Sequence, residues 1–302
     1  MAFNWKTFQT RAITALAFAA IMLTGLLWNQ WSFLVLFSII HFGCWFEYQK
    51  LVGLIDPGYK SINPFHKYGV MIGGYGLMLF LTNEWFIPDT EVSLHSIGWV
   101  LALIALFIIP LSELLLSKHI VFKNSTHSFF GLIYISVSWA LLLNIRSGAM
   151  WLPHNGDDTF SNLSVLLAKI SGYVVPLIII GSIWVNDTMA YIVGSLIGKT
   201  PLSAISPKKT WEGTIGGIIL AVVVMGALGY WSQPSSAWLW ASIAAIASVT
   251  GTVGDLLESK LKRLAGVKDS GSFLPGHGGF LDRFDSLLLA TPFVWLFLKI
   301  IE

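Results

Sequence analysis

Residues 212–258 read EGTIGGIILAVVVMGALGYWSQPSSAWLWASIAAIASVTGTVGDLLE. Two apolar runs, about 212–231 and 237–258, flank the short break SQPSS at 232–236. A helix crosses a hydrocarbon core of about 30 Å with roughly 20 apolar residues, so each run is long enough to span. The break between them leaves room only for a turn, with Pro234 as its punctuation. The stretch is therefore predicted to be a helical hairpin in a membrane. Its two ends then emerge on one face, which lets the polar segments 199–212 and 259–285 build one site.

The whole chain agrees. It has 302 residues, 55% hydrophobic, with mean hydropathy +0.72 and 11% charged. A soluble protein carries about 25% charged residues. The predicted fold is an all-α polytopic integral membrane protein with about nine transmembrane helices: 12–28, 31–47, 68–83, 97–116, 128–144, 172–198, 212–231, 237–258 and 285–301. The apolar run from Ala12 to about Trp28 follows a basic start, as in a secretory signal, but its length and the span that follows favour an uncleaved first helix. Polar loops at 47–67 and 144–165 interrupt the spans, and there is no internal repeat. Residues 1–145 read as N-terminal transmembrane helices and 146–302 as a C-terminal catalytic transmembrane domain with a polar cavity facing the cytoplasm.

Orientation follows from Lys and Arg in the loops. Of the 18 such residues, the outer loops of this topology hold only Arg146, and Lys169 and Lys299 lie at span ends. The rest fall inside with the N-terminus, while Glu84, Asp89, Glu91, Asp157 and Asp158 fall outside. The single cysteine, Cys44, rules out an intramolecular disulfide and a Cys-rich metal site. The net charge of +2 carries little information, and no nucleic-acid partner is expected.

Four segments carry chemistry. In WVNDTMAY, Asp187 sits inside an apolar helix, where a carboxylate is costly unless it meets a cation or a polar cavity. Asp187, Tyr191, Gly194 and Gly198 share one helix face, and the glycines read as a close-packing surface. Gly194–Thr200 lacks the spacing of a Walker loop. In ISPKKTWEG, Ser206 and Pro207 read as a helix start that would set Lys208 and Lys209 beside free amides, a setting for polyphosphate. In GDLLESKLKR, Asp255, Glu258, Ser259 and Lys262 recur at i, i+3, i+4 and i+7 on one face. Hard oxygen ligands without clustered Cys or His point to Mg²⁺. In KDSGSFLPGHGGFLDRFDS, residues 268–286, the glycines let backbone approach a ligand. Asp282 and Asp285, three apart, can hold an ion, and Arg283 between them turns elsewhere, to a phosphate. Each segment also has a plainer reading: helix glue for Asp187, positive-inside anchors for the lysines, internal ion pairs for 254–263.

Residues 259–286, SKLKRLAGVKDSGSFLPGHGGFLDRFDS, resemble the signature of phosphatidate cytidylyltransferases, the CDP-diacylglycerol synthases. Its fixed positions match Ser259, Lys262, Arg263, Lys268, Asp269, Gly271, Pro275, Gly276, His277, Gly278, Gly279, Asp282, Arg283 and Asp285. WVNDTMAY, ISPKKTWEG and GDLLES look like other blocks of that family, so the resemblance covers about 184–286. It implies transfer of CMP from CTP to phosphatidate, with Mg²⁺ and room for a second cation such as K⁺. It implies an enzyme of the bacterial inner membrane, active on the cytoplasmic side, among membrane lipids and open to a homodimer.

On that basis Asp255, Asp282 and Asp285 are the expected metal ligands, with Glu258 beside them. Lys208, Lys209, Lys262, Arg263 and Arg283 are expected to hold phosphates, with Lys268, Gly278 and Gly279 at the nucleotide. Asp187 would floor the cavity, Asp269 belongs to the catalytic set, and His277 would contact a phosphate or orient a ligand. A CTP-dependent kinase of a polyprenol-type lipid needs similar parts but releases CDP. A transporter is disfavoured, because no repeat appears and the charge gathers at one face.

Overall fold

A computed structural model of the chain describes residues 5–82, 93–116, 122–147, 172–273 and 278–301. Every described element is helical: α1 (Trp5–Leu27), α2 (Gln30–Ile55), α3 (Pro57–Lys60), α4 (Pro64–Phe80), α5 (Leu94–Leu116), α6 (Phe122–Gly131), α7 (Ser138–Ser147), α8 (Val174–Ile197), α9 (Trp211–Ser232), α10 (Ala237–Leu264) and α11 (Leu281–Ile301). One π-turn, Leu132–Val137, joins α6 to α7.

Seven described helices are long and apolar enough to cross a membrane: Gln30–Ile55, Leu94–Leu116, Lys123–Ser147, Val174–Ile197, Trp211–Ser232, Pro234–Leu264 and Leu281–Ile301. The chain is thus an all-α integral membrane protein. The remaining two of the nine expected spans fall on α1, whose apolar part is Leu16–Leu27, and on α4, which has 17 residues. Both are helices, shorter in their apolar part than the other seven. Glu84, Asp89, Glu91, Asp157 and Asp158, expected on the outer side, lie outside the described residues.

The described residues form two units. One takes α1 to α5, the α6 helix up to Ser136, and Leu261–Phe284. The other takes the remainder of that helix from Val137, then α8, α9, α10 up to Lys260, and α11 from Asp285.

In the first unit, Phe33, Phe37, Trp45 and Leu51 are fully buried along α2. α4 and α5 pack backbone to backbone: a Cβ on Gly76 would lie 2.7 Å from the Ala102 nitrogen and 2.9 Å from the Gly98 oxygen. Only glycine permits that approach. Two buried polar side chains, Trp45 and His66, are paired, as burial favours. Trp45 Nε1 donates to Ser136 Oγ at 2.9 Å, within the π-turn. His66 lies between Glu113 Oε1, 2.5 Å from Nδ1, and Ser128 Oγ, 2.8 Å from Nε2.

In the second unit, α8 and α9 meet through small residues. A Cβ on Gly213 would lie 2.6 Å from the Ala190 oxygen, and one on Gly217 2.6 Å from the Asn186 oxygen. Gly194 and Gly198, expected as a packing face, lie against Thr210. α10 crosses α11 at Gly251 and Gly254, where a Cβ on Gly254 would meet the Asp285 oxygen at 2.6 Å.

Candidate active site

Segment 198–210 links α8 to α9 and is laced to itself. Pro201 and Thr210 form an isolated antiparallel bridge. Leu202 N donates to Lys209 O at 2.7 Å, and Trp211 N to Thr200 O at 2.9 Å. Glu212, in the first turn of α9, accepts the Lys199 and Thr200 amides at 3.2 Å. The helix start differs from the sequence reading. α9 begins at Trp211, and Thr210 caps it by accepting Gly213 N at 3.2 Å. Ser206–Pro207 instead opens a turn closed by Lys209 N to Ser206 O at 3.1 Å. Pro207 occupies the turn position that its fixed φ suits equally well. Lys208 is exposed beside that turn.

Lys209 forms an ion pair with Asp255 of α10, both side chains about one-third exposed. Asp187 of α8 lies within electrostatic reach of both. Its neighbour Asn186 is buried, and Asn186 Nδ2 lies 3.3 Å from Asp187 Oδ1 and 3.4 Å from Thr252 Oγ1. The Lys209–Asp255 pair thus joins segments 205–213 and 254–263, with Asp187 of segment 184–191 within electrostatic reach. Glu258, one turn further along α10, is fully buried. Asp285 is buried, with its Oδ1 accepting Ser286 N at 2.6 Å.

The signature segment forms the other cluster. α10 ends in a Schellman motif: Val267 N bonds Lys262 O at 3.0 Å, Gly266 N bonds Arg263 O at 3.1 Å, and Gly266 has φ +70°. Arg263 Nη1 donates to Val267 O at 3.1 Å. Asp282, in the first turn of α11, is the hub. Its Oδ1 accepts Lys262 Nζ at 2.6 Å. Its Oδ2 lies 2.7 Å from Gly279 N, 2.9 Å from Ser270 N and 2.9 Å from Ser270 Oγ. Carboxylates at a helix N-terminus are favoured by the free amides there. Gly278, at φ +86°, turns the chain so tightly that a Cβ would lie 2.6 Å from Asp282 Oδ2. Lys268, Asp269, Arg263 and Arg283 are exposed around this hub. His277 lies outside the described residues.

Sequence reading missed Glu47. This α2 carboxylate accepts Ser270 Oγ at 2.6 Å, Phe280 N at 2.9 Å and Leu281 N at 2.9 Å. It is buried, and a Cβ on either Gly271 or Gly279 would collide with it. The available signal was a lone acid in the apolar run HFGCWFEY, the argument that singles out Asp187.

Among the described residues, no three His, Cys, Asp or Glu side chains converge on one point. Mg²⁺ usually takes one or two protein carboxylates and fills its octahedron with water and substrate phosphate. The Asp187 and Asp255 carboxylates, hard oxygen donors with Lys209 beside them, suit that requirement.

A family profile described as the cytidylyltransferase family matches residues 9–301. Curated relatives carry the name phosphatidate cytidylyltransferase. The chloroplastic form 4 of Arabidopsis thaliana is 36% identical over 207 residues, 66% of this chain and 52% of that protein. The Synechocystis protein is 42% identical over 133 residues, 43% of this chain and 45% of that protein. The Staphylococcus haemolyticus protein is 33% identical over 243 residues, 74% of this chain and 90% of that protein. The chain thus spans about half the length of the first two and nine-tenths of the third.

Proposed function

We infer that this chain, which belongs to the cytidylyltransferase family, transfers the CMP unit of CTP to phosphatidate, giving CDP-diacylglycerol and pyrophosphate. The names of its relatives support that choice of lipid. At the level of side chains, one observation carries it: the Lys209–Asp255 ion pair with Asp187 in reach, partly open to solvent. Phosphoryl-type transfer between two anions needs a fixed cation beside hard carboxylates.

In the proposed reaction, a phosphate oxygen of phosphatidate bonds to the α-phosphorus of CTP. The bond from that phosphorus to the bridging oxygen breaks, and pyrophosphate leaves with the electron pair. The attacking lipid is already an anion, so no base is required. Lys209 and Lys208 neutralise phosphate oxygens on the α9 side. Lys262, Arg263 and Arg283 do so on the signature side, with Lys268, Gly278 and Gly279 at the nucleotide and Asp269 in the catalytic set. Asp187 and Asp255 would hold Mg²⁺, which when bound supplies Lewis-acid charge at the phosphates. Asp285 and Glu258 are the further carboxylates proposed for the metal. Asp282 can offer Oδ1 to a cation only when Lys262 turns from it to a phosphate. K⁺ as a second cation, and a second copy of the chain as partner, belong to the same proposal. So do nine crossings, a cytoplasmic N-terminus and a site facing the cytoplasm from the inner membrane, which the loop distribution of Lys and Arg supports.

The test uses CTP labelled at the α- or the γ-phosphorus, with purified protein, phosphatidate micelles and Mg²⁺. Label from the α position is expected in the lipid, and label from the γ position in the released pyrophosphate. In parallel micelles that carry a polyprenol, entry of γ label into that lipid would instead establish the kinase reading.

A further inference from the structure

The Glu47 carboxylate is a buried charge on α2 that the transfer chemistry does not use. It lies 223 residues in sequence from Ser270, its hydroxyl partner. Three donors converge on it: Ser270 Oγ–H, Phe280 N–H and Leu281 N–H. It packs so closely on Gly271 and Gly279 that a Cβ at either position would displace it. The same Ser270 offers its backbone N–H to Asp282 Oδ2, and Gly279 N–H does likewise. Asp282 in turn holds Lys262 Nζ, a side chain 13% exposed. A continuous set of short hydrogen bonds therefore runs from Glu47 through Ser270 to Asp282 and Lys262.

We propose that Glu47 is a positioning residue that fixes Ser270 and residues 279–281 and thereby aims Lys262 at a phosphate of the nucleotide. The inference rests on the cytidylyltransferase reading above. The physical reason is acceptor supply. The Phe280 and Leu281 amides, part-buried and buried, would otherwise lack acceptors, which costs more than the hydrogen bonds are worth. An anionic acceptor strengthens each of them. Gln in place of Glu puts an N–H₂ group among donors, so at least one of the three bonds becomes a donor–donor contact. The shape stays the same, but Ser270 and residues 279–281 lose their register against Asp282. Lys262 then keeps its charge and loses its aim.

The test compares Glu47→Gln, Ser270→Ala and the unaltered chain in phosphatidate micelles, with CTP and Mg²⁺ varied. Glu47→Gln is expected to raise the KM for CTP and the pyrophosphate inhibition constant about tenfold, the scale of one charge-assisted hydrogen bond. The kcat should change by less than about threefold, because the reacting atoms are untouched. Ser270→Ala removes only the hydroxyl link and should move KM in the same direction, by less. A purely structural Glu47 would lower activity in proportion to the folded fraction, read by size-exclusion, with KM unchanged; that result overturns the proposal. If Glu47→Gln does not fold, Ser270→Ala decides, and an unaltered KM there counts against it. An unaltered chain that makes no CDP-diacylglycerol from CTP overturns the functional reading itself, and the inference with it.

Discussion

Asp255 and Asp282 carry the same side chain and were expected to do the same work, yet their surroundings differ. Asp255 is about one-third exposed and has Lys209 as its ion-pair partner. Asp282 is 8% exposed and accepts from Lys262, Gly279 and Ser270. Replacing each by Asn should therefore separate function from stability. Asp255→Asn is expected to cut CMP transfer about a hundredfold and raise the Mg²⁺ requirement, on the scale of removing one transition-state stabiliser. Its thermal midpoint in detergent should stay near that of the unaltered chain, because a partly exposed pair is worth little to folding. Asp282→Asn leaves buried donors facing an N–H₂ group, so it should lose activity and about 1–3 kcal/mol of stability. Equal thermal midpoints for the two variants would show that the Asp282 network does not support the fold. The signature's glycines were legible in the sequence as points of close approach. What they approach was not, because Glu47 is more than 220 residues away and no local spacing encodes a tertiary partner.

At the scale of elements, helix contacts and turns respond to different forces. α8 and α9 approach until the Gly217 position has backbone on two sides: Asn186 O at 2.6 Å and Ala190 N at 2.9 Å from an added Cβ. Neither can yield as a flexible side chain would. Gly217→Ala should lower stability by about 1–3 kcal/mol, the usual cost of overpacking, seen as a lower thermal midpoint. An unchanged midpoint would mean that the helices separate freely. The small-residue spacing of α8 was readable because a helix repeats every 3.6 residues. The start of α9 was misread because Ser-Pro suits a turn as well as a first helical turn, and only Thr210's bond to Gly213 N distinguishes them. The junction of α2 and α3 adds a pH effect. Asp56 accepts Lys123 Nζ at 2.8 Å, Gly58 N at 3.0 Å and His127 Nε2 at 3.3 Å. The Lys123 bond, the largest influence, holds its carboxyl below the ordinary value against a smaller opposing effect of burial. A depressed carboxyl stabilises fully above its unfolded value, about 3.9, and that stability is lost as pH falls through the folded value. The midpoint difference between the unaltered chain and Asp56→Asn should thus be constant near neutrality and shrink below about pH 4. A difference that persists unchanged at low pH would remove Asp56 from the account.

At the scale of the molecule, the membrane decides which helices count as crossings. Hydropathy made seven of them legible, because a run of about 20 apolar residues has few other uses. α4 is harder to read. Its 17 residues rise about 26 Å at 1.5 Å each, against a hydrocarbon core of about 30 Å. A deficit of that size is met by local thinning of the bilayer at modest cost. The Gly76 and Gly98 contact also shields α4 along α5, so part of its surface needs no lipid. These terms favour a crossing, and a crossing puts Ser61 and Ser93 on opposite faces. Cys44 is buried and is the chain's single cysteine, so Cys44→Ala provides a silent background for single-cysteine labelling. In sealed right-side-out vesicles, an impermeant maleimide should label Ser93→Cys and reach Ser61→Cys only after permeabilisation. Labelling of both from the same side would take α4 out of the spans. Because every later crossing alternates from that point, it would also reverse either the face assigned to the N-terminus or the face assigned to the Lys208 and Lys209 loop.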